Sequence, residues 1–269
     1  MRDGPSDRGP ARVIGGGGGS LALVTGGTDG IGAALVSLLR DAGWRVLATG
    51  RRASDGPDPH DPDLHWLRVD QADPARAAAR IAGACEGMGR AHATDAGVEL
   101  AILCAGTGQA AQEGIEGEAA VRAALRVNLE ASVLIAHALA PQLLARRGTL
   151  VLIGSVARRG MADLPSYAAS KAGLHAFARA LGEEWRGRAS VLALHPGPTR
   201  TGMQGKAGLD VSRIAWAFLP PSLMARMVMA RIVAERGRLR PRLATLGHRT
   251  GLLRWAGERL GLARAEGRR

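Results

Sequence analysis

Tyr167 is the single tyrosine of the chain, and it stands four positions before Lys171, one of two lysines among 36 Lys and Arg residues. Residues at that spacing share one face of a helix. A phenol with an ordinary pKa near ~10 is a poor acid–base group at neutral pH, and an ammonium one helical turn away favours its phenolate form. Tyr167 is therefore a candidate proton donor or acceptor. A lysine in a chain that otherwise writes its positive charge as Arg points to a need for a compact ammonium. Ser155, closing an apolar run, would hydrogen-bond a substrate oxygen beside the tyrosine. Asn128, the single asparagine, interrupts an apolar helical stretch. The competing reading of Tyr167 and Lys171 is a half-buried helix pair whose lysine snorkels to water.

A second chemistry-bearing segment is Thr25-Gly-Gly-Thr-Asp-Gly-Ile-Gly32, between an apolar run and a helical pattern. Such a turn presents backbone N–H groups and a helix N-terminus to a dinucleotide pyrophosphate. Gly26 would permit the sharp turn, Gly30 the approach to phosphate, and Gly32 the packing of helix on strand. Arg51 and Arg52 follow the second apolar run, where an acidic residue would bind the ribose 2′-hydroxyl of NAD; arginine suits a 2′-phosphate. NADP(H) is thus favoured and NAD(H) is the alternative. Against this stand Asp29, which would repel that phosphate, and the reading of both arginines as ordinary surface residues. Asp70 closes the third run where adenine would lie, or else caps the turn before Pro74.

These residues need elements to hold them. Leu21–Thr25 reads as a strand, Ile31–Ala42 as a helix with apolar residues at helical spacing, and Trp44–Gly50 as a second strand. Ser54–Asp63, crowded with Asp, Pro and Gly, reads as loop, and Leu64–Val69 as a third strand. Pro74 suits the first turn of a helix reaching about Gly87, and Val98–Cys104 is a fourth apolar run. Glu118–Arg146 is helical, Thr149–Ser155 a strand, Ser166–Arg186 a helix, Ser190–His195 a strand and Leu223–Gly237 a helix. Continuous apolar strands alternating with helices predict an α/β fold with a doubly wound parallel sheet.

Composition narrows the class. At 269 residues and 46% hydrophobic, the chain suits one large domain. Two cysteines, Cys85 and Cys104, without CxxC spacing exclude a disulfide framework and argue for the cytoplasm; no metal site is expected. No uninterrupted apolar run reaches the roughly 18 residues of a membrane span, since the longest, Ala131–Ala145, is broken by His137 and Pro141. Residues 1–20, ending in a glycine run, lack the apolar middle of a secretory signal and read as a disordered arm. The net charge of +12 lies mostly after residue 202, where 14 Lys and Arg face 4 Asp and Glu.

Taken together, the glycine turn, Asn128, Ser155, Tyr167-Ala-Ala-Ser-Lys171 and Pro196-Gly-Pro-Thr-Arg-Thr201 resemble the short-chain dehydrogenase/reductase family. The match runs from Leu21 to about Thr201. The resemblance implies a Rossmann-type fold, a nicotinamide cofactor, and a carbonyl or alcohol substrate. By it, Tyr167 is the acid–base, Lys171 binds the nicotinamide ribose and lowers the tyrosine pKa, Ser155 orients the carbonyl, and Asn128 holds a water in a proton relay. It implies cofactor contacts from Thr25, Gly26, Thr28, Asp29, Gly30, Ile31 and Gly32 in the first turn. Further contacts come from Arg51, Arg52 and Asp70, from Ala105 and Gly106, and from Asn128, Tyr167 and Lys171. Pro196, Gly197, Thr199 and Thr201 complete the set, with the two threonines meeting the carboxamide and phosphate ends. It also implies a homo-dimer or tetramer paired through the helices holding Asn128 and Tyr167.

The chain departs from the family pattern at Leu103-Cys-Ala-Gly106, where Cys104 replaces an asparagine and one polar contact steadying the central strand is lost. A C-terminal Asp-Gly-Gly strand end is missing, and Arg238–Leu246 and a tail stand there. Residues 21–247 read as one domain, 202–222 as a substrate lid and 248–269 as a basic amphipathic tail. In the lid, Ile214, Trp216, Phe218 and Leu219 suggest a hydrophobic substrate. Met161, Leu164, Arg158 and Arg159 either touch substrate or form a surface turn. The tail suits a membrane surface, an acidic carrier protein, a protomer interface or plain packing. A non-catalytic nucleotide-binding or docking protein of the same fold is the alternative to an enzyme. Nucleic acid is not an expected partner, because aromatic residues are sparse in the basic segment.

Overall fold

The computed structural model describes residues 20–53, 55–90, 97–112, 114–206, 216–235 and 244–246. The arm before residue 20, Ile214 in the lid, and the tail expected over 248–269 lie outside them.

The strands are β1 (Leu21–Thr25), β2 (Arg45–Gly50), β3 (Gly56–Asp58), β4 (Asp61–Arg68), β5 (Val98–Leu103), β6 (Thr149–Ile153), β7 (Ser190–Pro196) and β8 (Ala244–Leu246). They form one sheet in the order β3-β4-β2-β1-β5-β6-β7-β8. All neighbours are parallel except β3 and β4. This is the doubly wound, Rossmann-type sheet that the apolar runs predict. The chain reverses its direction of growth between β1 and β5, and in such sheets ligands bind beyond the strand C-termini at that switch point.

Alternate residues of each central strand face opposite sides, and both sides are covered. On one side Leu21, Leu23, Ala101, Leu103, Leu150 and Leu152 pack under α2 (Pro74–Arg90), α4 (Ala131–Ala145) and α5 (Pro165–Glu184). On the other, Ala22, Val24, Leu100, Ile102, Val151 and Ile153 pack under α1 (Gly30–Asp41) and α7 (Pro221–Glu235). Helix α3 (Glu118–Leu125) joins α4 through a π turn at Arg126–Glu130, and a four-residue α6 spans Met203–Lys206.

Four details differ from expectation. The Asp-rich loop forms the β3–β4 hairpin, because carboxylates there find partners from elsewhere. Asp61 accepts from Arg40 at 2.6 and 2.7 Å, and Asp58 accepts from Trp66 Nε1 at 2.9 Å. The third strand accordingly starts at Asp61, not Leu64. Ala244–Leu246 adds a parallel edge strand to β7 where only divergence from the family pattern was visible. Finally, α3, the π turn and α4 make the continuous helix expected here, but over Glu118–Ala145 it contains an 18-residue stretch of mean hydropathy 1.3, long and apolar enough by length and composition to cross a membrane, where the sequence run looked broken. In the fold, Ala131, Ile135, Ala136, Leu139 and Leu143 of this helix are buried in the core on the sheet.

Candidate active site

Helix α5 opens with Pro165 at its first position, where a missing N–H costs nothing. Its next donors are met from outside: Ser166 N and Oγ donate to the Glu116 carboxylate at 2.9 and 2.7 Å. Glu116 thereby ties the loop after β5 to the helix end that carries Tyr167. The buried stripe of α5 includes Tyr167, Ser170, Lys171 and Leu174, so the i, i+4 pair faces inward and not to water.

Lys171 is 3% exposed, which excludes the snorkelling alternative. Its ammonium donates to the Ile153 carbonyl at 2.9 Å and lies 5.8 Å from the Tyr167 ring centre. Burial pulls its pKa down to about 8. The Tyr167 phenol is pushed above its usual range by burial, partly offset by its hydrogen bond with Ser155. The expected lowering by Lys171 is therefore not what governs this phenol: removal from water outweighs it. Ser155 extends from the end of β6, and its Oγ accepts from Ala157 N at 3.1 Å, starting a short 3₁₀ turn over Val156–Arg159.

Asn128 is fully buried within the π turn, a local widening that recurs at functional positions. Its Oδ1 accepts from Thr107 N at 2.8 Å, and its Nδ2 donates to Thr107 O at 2.8 Å and Ser170 Oγ at 3.0 Å. Ser170 Oγ in turn donates to Tyr167 O at 2.7 Å. One chain of hydrogen bonds thus runs from the loop after β5 through Asn128 to the helix of Tyr167. A Cβ on Gly106 would lie 3.4 Å from Asn128 Oδ1 and 3.6 Å from Lys171 Nζ.

At the first turn, Gly26 has φ +68°, and a Cβ on it would lie 2.8 Å from Ala105 Cα, too close for any side chain. Thr25 Oγ1 accepts from Cys104 N at 3.0 Å and Ala105 N at 3.2 Å. These bonds use backbone donors and so hold the end of β5 to β1 whatever side chain stands at 104; burial pushes the Cys104 thiol up to about 11. Gly32 meets the Gly26 carbonyl, so its role is closure of the turn itself and not packing of helix on strand. A Cβ on Gly30, at φ +55°, would lie 2.9 Å from the Thr201 methyl, so the segment after β7 comes over the turn. Thr28 packs on Gly50 at the end of β2, and Ile31 follows in the first turn of α1. Asp29 precedes α1 without capping it, and the first helical turn holds no acidic residue.

Arg51 and Arg52 are exposed at the end of β2, and Arg52 lies 3.7 Å from Asp29. That pairing turns part of the expected repulsion at Asp29 into a tether for an arginine. Asp70 Oδ1 accepts from Ala72 N at 2.9 Å, the turn-capping alternative. After β7, Pro196 and Gly197 lead to Thr199, buried with its Oγ1 donating to Gly197 O at 3.0 Å. Thr201 Oγ1 accepts from Met203 N at 3.3 Å.

Around Tyr167 the lining is apolar: Ala157, Leu164, Ala110 and Met203 pack with it, and Gly108 approaches its ring. Ala110, Met203 and Glu116 went unnoticed in the sequence, since nothing local marks them. Of the presumed lid, Trp216 is 60% exposed and Phe218 half-buried, while Leu219 packs on the α1 and α7 side of the core. Leu164 is core to the tyrosine cluster, and Met161 and Arg159 are exposed.

The residues present suit a dinucleotide. Two glycines at positive φ and a first helical turn free of acidic residues, with Asp29 just before it paired to Arg52, stand at one end, and the side-chain-free Gly106 between Asn128 and Lys171 stands at the other. No cluster of three metal-ligating side chains occurs among the described residues.

Comparison with known proteins points the same way. The model of the family described as short chain dehydrogenase matches residues 20–211. A relative from Hypocrea jecorina, L-xylo-3-hexulose reductase, is 30% identical over 212 residues, spanning 71% of this chain and 70% of its own. An uncharacterized oxidoreductase from Myxococcus xanthus is 33% identical over 187 residues, spanning 65% and 70%. Among solved structures, a candidate 2-deoxy-D-gluconate 3-dehydrogenase from Agrobacterium tumefaciens with bound NADP superposes at TM-score 0.66 and 26% identity, covering 84% of this chain and 94% of the other.

Proposed function

The chain belongs to the short-chain dehydrogenase family, an oxidoreductase acting on CH–OH or C=O groups with a nicotinamide cofactor, and from that premise we propose that it exchanges hydride between NADP(H) and an apolar ketone, aldehyde or secondary alcohol. The observation that carries this reading is the buried Tyr167 phenol, hydrogen-bonded to Ser155 and standing near the Lys171 ammonium. When bound, the cofactor supplies or accepts the hydride at the carbonyl carbon.

In the reductive direction Ser155 and Tyr167 hold the substrate oxygen, and Tyr167 gives it a proton as the carbon becomes saturated. A phenol raised by burial is protonated at neutral pH and so stands ready to donate. Lys171 stabilises the phenolate left behind, and its pKa near 8 lets it pass on a proton at modest cost. Asn128 fixes the loop after β5 against α5, and in this reading steadies a relay water. The glycine turn with Thr28, Asp29 and Ile31 holds the pyrophosphate end, and Asp70 flanks adenine. Ala105 and Gly106 line the nicotinamide side, and the segment Pro196, Gly197, Thr199 and Thr201 closes over it.

NADP(H) over NAD(H) is supported by Arg51 and the Asp29-tethered Arg52, and by the bound NADP of the Agrobacterium relative. Residues 21–247 act in this reading as one catalytic domain with 202–222 as its lid, in the cytoplasm. Copies pair through α4 and α5, leaving the 248–269 tail for a further contact. An apolar substrate is supported by the Ala110, Ala157, Leu164 and Met203 lining. The test is NADPH consumption with matched panels of cyclic ketones and ketohexoses. We expect kcat/KM to be at least about tenfold higher for the apolar panel, on the scale of one or two methylene groups; equal or reversed preference rejects it.

A further inference from the structure

His195 is the penultimate residue of β7 and 1% exposed. Its ring lies against Gly154, the residue before Ser155: a Cβ there would sit 2.6 Å from His195 Cε1 and closer still to Nδ1. Gly154 N also donates to Leu194 O at 2.7 Å, so the two strand ends are locked in register where the ring stacks. The other edge of His195 reaches α5, with Nε2 3.0 Å from Nδ1 of His175 and ring centres 4.9 Å apart. His175 lies one turn beyond Lys171 on the same helix. Two imidazoles therefore bridge the helix holding Tyr167 and Lys171 to the strand that leads into Thr199 and Thr201.

We propose that His195 and His175 are positioning residues: a neutral imidazole clamp that seats α5 against β7 and holds Gly154 and Ser155 in line with Tyr167. The proposal rests on the reading of Tyr167 as the acid–base group.

The protonation pattern follows from the surroundings. His195 Nδ1 is buried over Gly154 without a hydrogen-bond partner among the described residues. A proton there would be an orphaned donor, the costlier kind of unmet group. The proton therefore sits on Nε2 and donates to His175 Nδ1, which must be bare. A charged His175 would carry a proton on that same Nδ1 and set two donors face to face. Among the described residues, the charged groups that act on the pair are cationic: Arg158 and Arg159 from the 3₁₀ turn, with Lys171 and Arg179 from α5. Burial and these cations pull His195 down to about 3 and His175 below its ordinary value. The clamp is thus neutral through the neutral range and is opened by acid.

The test uses the full-length protein and two readouts that need no turnover. With nitrogen-15 histidine, His195 is expected to stay neutral and Nε2-protonated from about pH 5 to 8; ordinary titration, or a proton on Nδ1, overturns the clamp. Because Tyr167 is the only tyrosine, carbon-13 labelling at its phenol carbon follows that group alone. His175 is half-buried, so His175→Ala is expected to fold. It should admit water to the site and move the phenol back toward its ordinary pKa by at least about half a unit, with His175→Gln restoring the wild-type value. An unchanged phenol in His175→Ala, or failure of Gln to restore a changed one, overturns the positioning role. In the kinetic arm, His175→Ala lowers kcat several-fold with the KM for NADPH little changed. Absence of any wild-type turnover falls on the proposed activity, while the two spectroscopic readouts still decide the clamp.

Discussion

Lys171 carries the sharpest conflict between stability and chemistry. Its pKa is pulled from 10.5 to about 8 by burial. Between those values the unfolded chain binds more protons than the folded one, so stability rises with pH across that window. Below about pH 8 the whole penalty is present, about 3 kcal/mol at about 1.4 kcal/mol per unit. Lys171→Met should therefore raise the urea midpoint at pH 7, by about 1 to 3 kcal/mol in unfolding free energy, while turnover is lost. A destabilised Lys171→Met protein would mean that the ammonium is held by stronger partners than the Ile153 carbonyl. Tyr167 gives the complementary pH prediction. With its phenol raised, carbonyl reduction should stay level through neutral pH and alcohol oxidation should climb into the alkaline range; oxidation already maximal at pH 7 contradicts it.

At the scale of elements, what matters is which ends meet. Gly26 brings the first turn against Ala105, and Gly26→Ala adds a Cβ at positive φ with Ala105 Cα at 2.8 Å. The expected result is a loss of at least about 2 kcal/mol and of dinucleotide binding, checked by thermal melting with and without NADPH. Glu116 caps α5 from outside the helix, and Glu116→Ala should cost about 1 kcal/mol and lower kcat more than it raises KM. Strands β1, β2, β5, β6 and β7 were legible because each is a short apolar run, and Tyr167, Lys171, Ser155 and Asn128 because each is rare or sits at a strand or helix boundary. The β3–β4 hairpin was not legible, since Asp58 and Asp61 read as loop until Trp66 and Arg40 are seen beside them. The π turn around Asn128 follows no residue pattern, and Glu116 lies 50 positions from its partner. The upward shift of the Tyr167 phenol was hidden for the same reason: spacing shows Lys171 nearby but not the burial that outweighs it.

Over the whole molecule, the sheet gathers the C-terminal ends of β1, β5, β6 and β7 at one edge, and every residue of the proposed mechanism lies in or beside the segments leaving it. Arg51 and Arg52 follow β2, the neighbour of β1 at that edge, where the proposed function puts the adenosine end of the cofactor. Replacing both by Ala should weaken NADPH binding by about tenfold or more and leave NADH binding nearly unchanged, as read by a fluorescence titration; equal losses for both cofactors would assign the arginines a structural role. The central claim is hydride transfer with Tyr167 moving the proton, and isotope transfer tests it most directly. Purified protein is incubated with NADPH deuterated at C4 and a panel of apolar ketones, and the alcohols are weighed by mass spectrometry. The account predicts deuterium at the carbinol carbon with wild type and a loss of about 10²-fold or more in Tyr167→Phe, whose NADPH affinity stays close to wild type. Label transfer by Tyr167→Phe at the wild-type rate, or none by wild type to any carbonyl, would contradict it.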